Sequence, residues 1–119
     1  MSDPRHDVWI DPIRRRQLAG AVSFVESIHH YVDPDFFSIA PEELTTWSAV
    51  LDGGDEEEEA AVSVEVSYRE LFRLEVIVTV AWEYSVREKR VVGEMNDETF
   101  RDLLAWMARL QDRLFRRPD

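Results

Sequence analysis

The 119-residue chain has no cysteine, only four glycines and a single lysine, Lys89. Without thiols there are no disulfides, thiolate metal sites or cysteine nucleophiles, and a reducing compartment is the natural setting. The glycines, at 20, 53, 54 and 93, match neither a phosphate-binding loop nor a dinucleotide fingerprint. No Gly-x-Ser-x-Gly surrounds a serine, so a nucleophile elbow is missing as well. Long apolar runs are also absent. The most apolar stretch, Leu74 to Trp82, contains Glu75 and is about half the ~20 residues that a membrane span requires. Met1 to Asp7 lacks the order of a secretory signal, and the expected location is the cytoplasm.

What is present suits a folded domain. Hydrophobic residues make up 45% of the chain, enough for one core at this length. We expect residues 1–10 to form a tail, with Val8, Trp9 and Ile10 able to dock, and 11–117 to form a single domain. Net charge is −11, of which Asp52, Asp55, Glu56, Glu57, Glu58 and Glu59 contribute −6. Such a chain is repelled by phosphate backbones and anionic lipid, so neither nucleic acid nor membrane is an expected partner. A basic protein is electrostatically allowed.

Asp11 and Pro12 supply an N-cap and a first helical residue, and Leu18, Ala21, Val22, Val25, Ile28 and Val32 follow at helical spacing. This predicts a helix over 12–31, ended by Asp33-Pro34. Leu44 to Leu51 carries both signals: Pro41-Glu42-Glu43 can open a helix, while Thr45, Thr46, Trp47 and Val50 favour a strand, which is the reading taken. Ala60, Val62, Val64, Val66 and Tyr68 alternate with polar residues, and Leu74, Val76, Val78, Val80, Trp82, Tyr84 and Val86 repeat the period of two. These predict an antiparallel hairpin, with a short further strand near 90–94. Asn96 or Asp97 caps a last helix whose stripe runs through Phe100, Leu103, Met107, Leu110 and Leu114.

The expected fold is therefore α+β: a two-layer sandwich with an antiparallel sheet of three to four strands and the N- and C-terminal helices on one face. Its other face would centre on Ile77, Thr79 and Ala81, ringed by charge as an interface core is ringed by its rim, and would suit a homodimer. In size, acidity and this element order the chain is similar to the class I type III secretion chaperones, a resemblance that implies a small acidic dimer.

Chemistry-bearing clusters are few. His29, His30, Asp33 and Asp35 are metal-ligand types, but neighbouring helical residues diverge by about 100° and do not converge on one ion. No metal or other cofactor is expected. The acidic run Asp55 to Glu59 either receives a basic partner or is a solvated loop. Arg14, Arg15 and Arg16 stand where a helix macrodipole disfavours cations by about 0.3–1 kcal/mol each, which calls for an anionic neighbour in this chain or another. Trp106 lies beside the stripe of the last helix, where it either packs at the core edge or anchors a partner. The functional expectation is a small acidic, non-enzymatic interaction module of the inhibitor, immunity or chaperone kind. The alternative is a ligand-binding or enzymatic domain with a pocket between sheet and helices, for which His29 and Tyr84 are the polar side chains in core phase.

Overall fold

A computed structural model describes residues 5–28, 39–52, 61–89 and 95–115. Its element order is β1 (Arg5–Ile10), α1 (Pro12–Ile28), α2 (Pro41–Asp52), β2 (Val62–Ser67), α3 (Tyr68–Arg87) and α4 (Asp97–Phe115). Helices dominate, and the two strands form one antiparallel ribbon with Arg5 opposite Ser67 and Ile10 opposite Val62. This overturns the expected three- to four-stranded sandwich. With it go the hairpin over 60–86, the strand at 44–51 and the element order on which the chaperone resemblance rested.

Each difference has a local cause. Arg5–Ile10 of the segment expected as a tail form β1, in which Val8 and Ile10 are buried and Arg5, Asp7 and Trp9 are exposed, an alternation that pairs with β2. In α2, Pro41 takes the first helical position and Glu42 and Glu43 follow it, where the macrodipole favours anions. Leu44, Trp47 and Leu51 recur at three and four residues and are buried, so helical spacing wins over the strand propensity of the threonines.

The largest change is at Ser67. It ends β2 and is also the N-cap of α3: its hydroxyl accepts from the Glu70 N–H at 3.2 Å, and its own N–H donates to Glu70 Oε1 at 3.0 Å. This reciprocal capping box satisfies two backbone donors and starts a helix inside what reads as a strand pair. From there Leu71, Leu74, Ile77, Val78, Ala81 and Tyr84 point inward at helical spacing. Burying that stripe outweighs the few tenths of a kcal/mol per residue by which Val, Ile and Thr disfavour helices.

α1 forms where expected, with the Asp11 carboxylate accepting from the Arg14 N–H at 2.8 Å. Positions 29–31 of the expected helix lie outside the described residues, as do 90–94. Asn96 caps α4, its side-chain oxygen accepting from the Thr99 N–H at 2.8 Å. α3 is the central element, packed against α1, α4 and β2, while α2 packs on α1. Leu18, Val22, Val25, Ile28, Leu74, Ile77, Val78, Phe100, Leu103 and Met107 make a continuous buried core. No helix of the described residues is long and apolar enough to cross a membrane.

Polar fasteners join the elements. Arg73 grips Glu43 with two parallel bonds, Nε to Oε1 at 3.0 Å and Nη2 to Oε2 at 2.9 Å, tying α3 to α2. Trp82 stacks on Phe100 with parallel rings 6.0 Å apart and donates its indole N–H to Asp97 at 2.9 Å, joining α3 to α4. Arg15 is buried, at 4% exposure, and its Nε donates to the Leu51 carbonyl oxygen in the last turn of α2. That carbonyl has no partner within its own helix, and the negative end of the α2 dipole favours the cation. Arg15→Met keeps much of the volume and removes the donor, so unfolding in urea should show a loss of about 1–3 kcal/mol. Arg16→Ala, at an exposed position, should stay within about 0.5 kcal/mol of the parent.

Candidate functional site

The outward side of α3 is not a conventional solvated helix face. Tyr68, Phe72 and Val86 are exposed by 49%, 45% and 58%, and Thr79 and Glu83 are exposed between them. One helical turn apart, Tyr68 and Phe72 stack at 6.5 Å with their rings 20° from parallel. Phe115, at the end of α4, meets Tyr68 edge-on at 5.5 Å and His6 of β1 edge-on at 5.0 Å. Four rings from three elements thus form a continuous aromatic row across the start of α3. Such rings offer large contact area with only two side-chain torsions to immobilise, which is why aromatic residues concentrate in binding hot spots.

The same end of α3 carries the best-defined charge arrangement. Arg5 donates to Glu65 Oε1 at 3.0 Å, to the Glu65 carbonyl at 2.9 Å and to Glu70, the carboxylate that closes the capping box. Burial alone would push the Glu70 carboxyl up; the bonds from the Ser67 N–H, the Arg5 guanidinium and the Ser67 hydroxyl reverse this and hold it below its ordinary 4.5. The Glu70 bond in turn raises the pKa of Arg5.

The residues singled out from sequence fall elsewhere. Ile77 and Ala81, expected at the centre of an open sheet face, are fully buried on the inner side of α3 and cannot meet a partner. A helix turns 100° per residue, so alternate residues leave the shared face that a strand would give them. Thr79 is exposed, its hydroxyl donating back to the Glu75 carbonyl at 2.9 Å. With no such sheet, the homodimer through its face is also withdrawn.

Trp106 is half-buried at the core edge, and the Arg14 guanidinium sits 5.6 Å from its ring centroid. Each of these two accounts for the other: Arg14 gains a cation–π partner from α4, and also donates to Gln17 at 3.1 Å. Arg15 is the buried fastener already described, and Arg16 is exposed. The electrostatic question posed by three arginines in a first turn is therefore answered within the chain for two of them. Asp55, Glu56, Glu57, Glu58 and Glu59 lie outside the described residues, as do His29, His30, Asp33 and Asp35. Among the described residues no group of three or more His, Asp or Glu gathers at metal-binding distance.

A pocket does lie between the strand ribbon and the helices, about 250 Å³ including its mouth. Its interior has room for about one water molecule. Its walls are valine, isoleucine, leucine and tryptophan side chains, among them Ile10, Leu18, Trp47, Val64, Leu74 and Trp106. Among the described residues no polar group points into it to orient a substrate. Every buried polar side chain among the described residues already has a hydrogen-bond partner. What distinguishes the molecule is thus a surface, the aromatic row and its continuation along α3. Sequence reasoning missed it because the strand period assigned Val76 and Val86 to the core; the signal that finds it is Ser67-x-x-Glu70, which resets the period to 3.6.

No known protein family, curated protein or solved structure matches this chain.

The depressed Glu70 carboxyl carries a pH signature. A group whose folded-state value is lowered stabilises the fold above its unfolded value and loses that contribution as pH falls through the folded one. Glu70→Gln retains a capping-box side chain but not the charge. At pH 7 the wild type should be the more stable, by less than about 1 kcal/mol because the Arg5 pair is solvent-exposed. Urea titrations at decreasing pH should show this advantage vanish below 4.5; an advantage that grows on acidification contradicts the assignment.

Proposed function

We propose that this chain is a non-enzymatic protein-interaction module and that the outward face of α3 is its contact surface. The observation that carries the reading is the concentration of apolar side chains there. Of the five large hydrophobic residues exposed among the described residues, Tyr68, Phe72 and Val86 share that face, while Trp9 and Ile13, both 66% exposed, lie near one another in sequence at the β1–α1 junction. A helix that has already buried its other sides has no folding reason to keep phenylalanine and tyrosine at the surface, whereas a contact patch does.

Charge supports the same reading in a second way. At −11 the molecule carries a long-range field that draws in basic proteins and repels polyanions, which raises encounter rates more than it raises affinity. The acidic run from Asp55 to Glu59 supplies five of those charges. In this reading the apolar face provides contact energy and the acidic surface selects what approaches. A reducing interior such as the cytoplasm is consistent with the absence of cysteine.

Cross-linking in cells, with the wild type and Phe72→Glu compared side by side, tests the proposal. The expected result is a set of protein cross-links that map to α3 in the wild type and disappear in the variant. Circular dichroism should show both folded, since a partly exposed side chain can change with little effect on stability. The same cross-links in both proteins, or cross-links that avoid α3 altogether, would remove the basis for the reading.

A further inference from the structure

The β1–β2 ribbon turns one face to the core and the other outward, because successive strand residues point to opposite sides. Arg5, Asp7 and Trp9 of β1 and Ser63 and Glu65 of β2 lie on the outward face, and all five are exposed. Two positions there break rules that a strand pair ordinarily keeps. Asp7 and Glu65 are register partners, so two carboxylates stand directly opposite each other with Cβ atoms about 5 Å apart, where like charges oppose the pairing. Arg5 relieves this only in part: its guanidinium is shared among the Glu65 carboxylate, the Glu65 carbonyl and Glu70. Asp7 has no ion pair among the described residues.

Trp9 is the second irregularity. It is 66% exposed, as is Ile13, more than any other large hydrophobic residue described. Its register partner is Ser63, which is too small to cover an indole. Among the described residues neither the ring nor its N–H has a partner.

The two irregularities adjoin. Trp9 stands two residues from Asp7 on the same face, about 7 Å along the strand. Arg5 occupies one side of the acid pair, and Trp9 flanks the other. That side offers a flat π face beside carboxylate oxygens that no cation neutralises, a combination that suits a positive charge. A guanidinium fits it better than an ammonium, since it is planar and can lie on an indole while its edge donates paired bonds to carboxylates. The molecule already uses half of this arrangement internally, where Arg14 covers the Trp106 ring.

We propose that the outward face of the β1–β2 ribbon receives an arginine side chain of a basic protein partner, its guanidinium stacked on Trp9 and donating to Asp7 and Glu65. The net charge of −11 draws such a partner in, whereas two copies of the chain repel each other. The site uses the strands rather than α3, so the inference stands whether or not α3 is a contact.

An NMR titration with capped hexaarginine and capped hexalysine peptides, in about 0.15 M salt to screen distant charges, tests it. Hexaarginine should shift the Trp9 indole N–H and the Asp7 and Glu65 amides, and should bind several-fold more tightly than hexalysine. Trp9→Ala and Asp7→Asn should each weaken its binding by about three- to tenfold. Glu26→Gln, which removes one exposed charge from α1, should change it by less than about twofold. Asp7→Asn should also melt at or above the wild-type temperature, because it relieves the opposed carboxylates; a residue kept for the fold would melt lower. Shifts spread evenly over the acidic surface, equal binding of the two peptides, or a loss in Glu26→Gln as large as in Asp7→Asn would reduce the effect to net charge and overturn the inference.

Discussion

Glu70 sits where three elements meet, and its carboxylate joins them. One oxygen accepts the Ser67 N–H, which closes the N-terminus of α3 against the end of β2, and it also accepts a bond from Arg5 at the start of β1. In the ribbon Arg5 is the register partner of Ser67, so the cap and the strand pairing lock the same pair of residues. A two-stranded ribbon is marginal by itself in water. Here it is supported by a helix that begins at its last residue, and by core side chains, Val8, Ile10 and Val66, that pack under it.

Arginine does much of the joining elsewhere. Arg15 ends α2 from within α1, Arg73 grips Glu43 across the α2–α3 contact, and Arg14 covers Trp106 of α4. The planar guanidinium suits each task, offering a fork of donors to a carboxylate or carbonyl and a flat face to an indole ring. The basic run at the start of α1 opposes its own macrodipole, and of its three arginines Arg15 is compensated by the opposite end of another helix. It reads as misplaced only while α1 is considered alone.

How far the residues themselves announce this architecture varies along the chain. α1 and α4 are legible because cap and stripe agree: Asp11 with Leu18 to Ile28, and Asn96 with Phe100 to Leu110. α3 is not, because its residues satisfy two periods at once. From Leu74 to Trp82 every position except Glu75 and Thr79 is apolar, so an alternation can be drawn through it as easily as a helical stripe. Only Ser67 and Glu70 separate the two, and they do so through a backbone bond pattern rather than through hydropathy. β1 fails for the reverse reason: its alternation over six residues is too short to stand out until β2 is placed beside it. The candidate site inherits both problems, since the inward and outward sides of α3 cannot be told apart before its period is known.

The absence of any residue between β2 and α3 leaves this junction without slack. A loop absorbs an added residue by bulging, whereas here an addition within β2 would either carry Ser67 past Arg5 or turn the strand's side chains to the opposite side of the ribbon. Leu71 and Leu74 share one pocket with Val64 and Val66, and either shift would pull that arrangement apart. Between Val62 and Leu74 the chain can therefore accept very few changes of length.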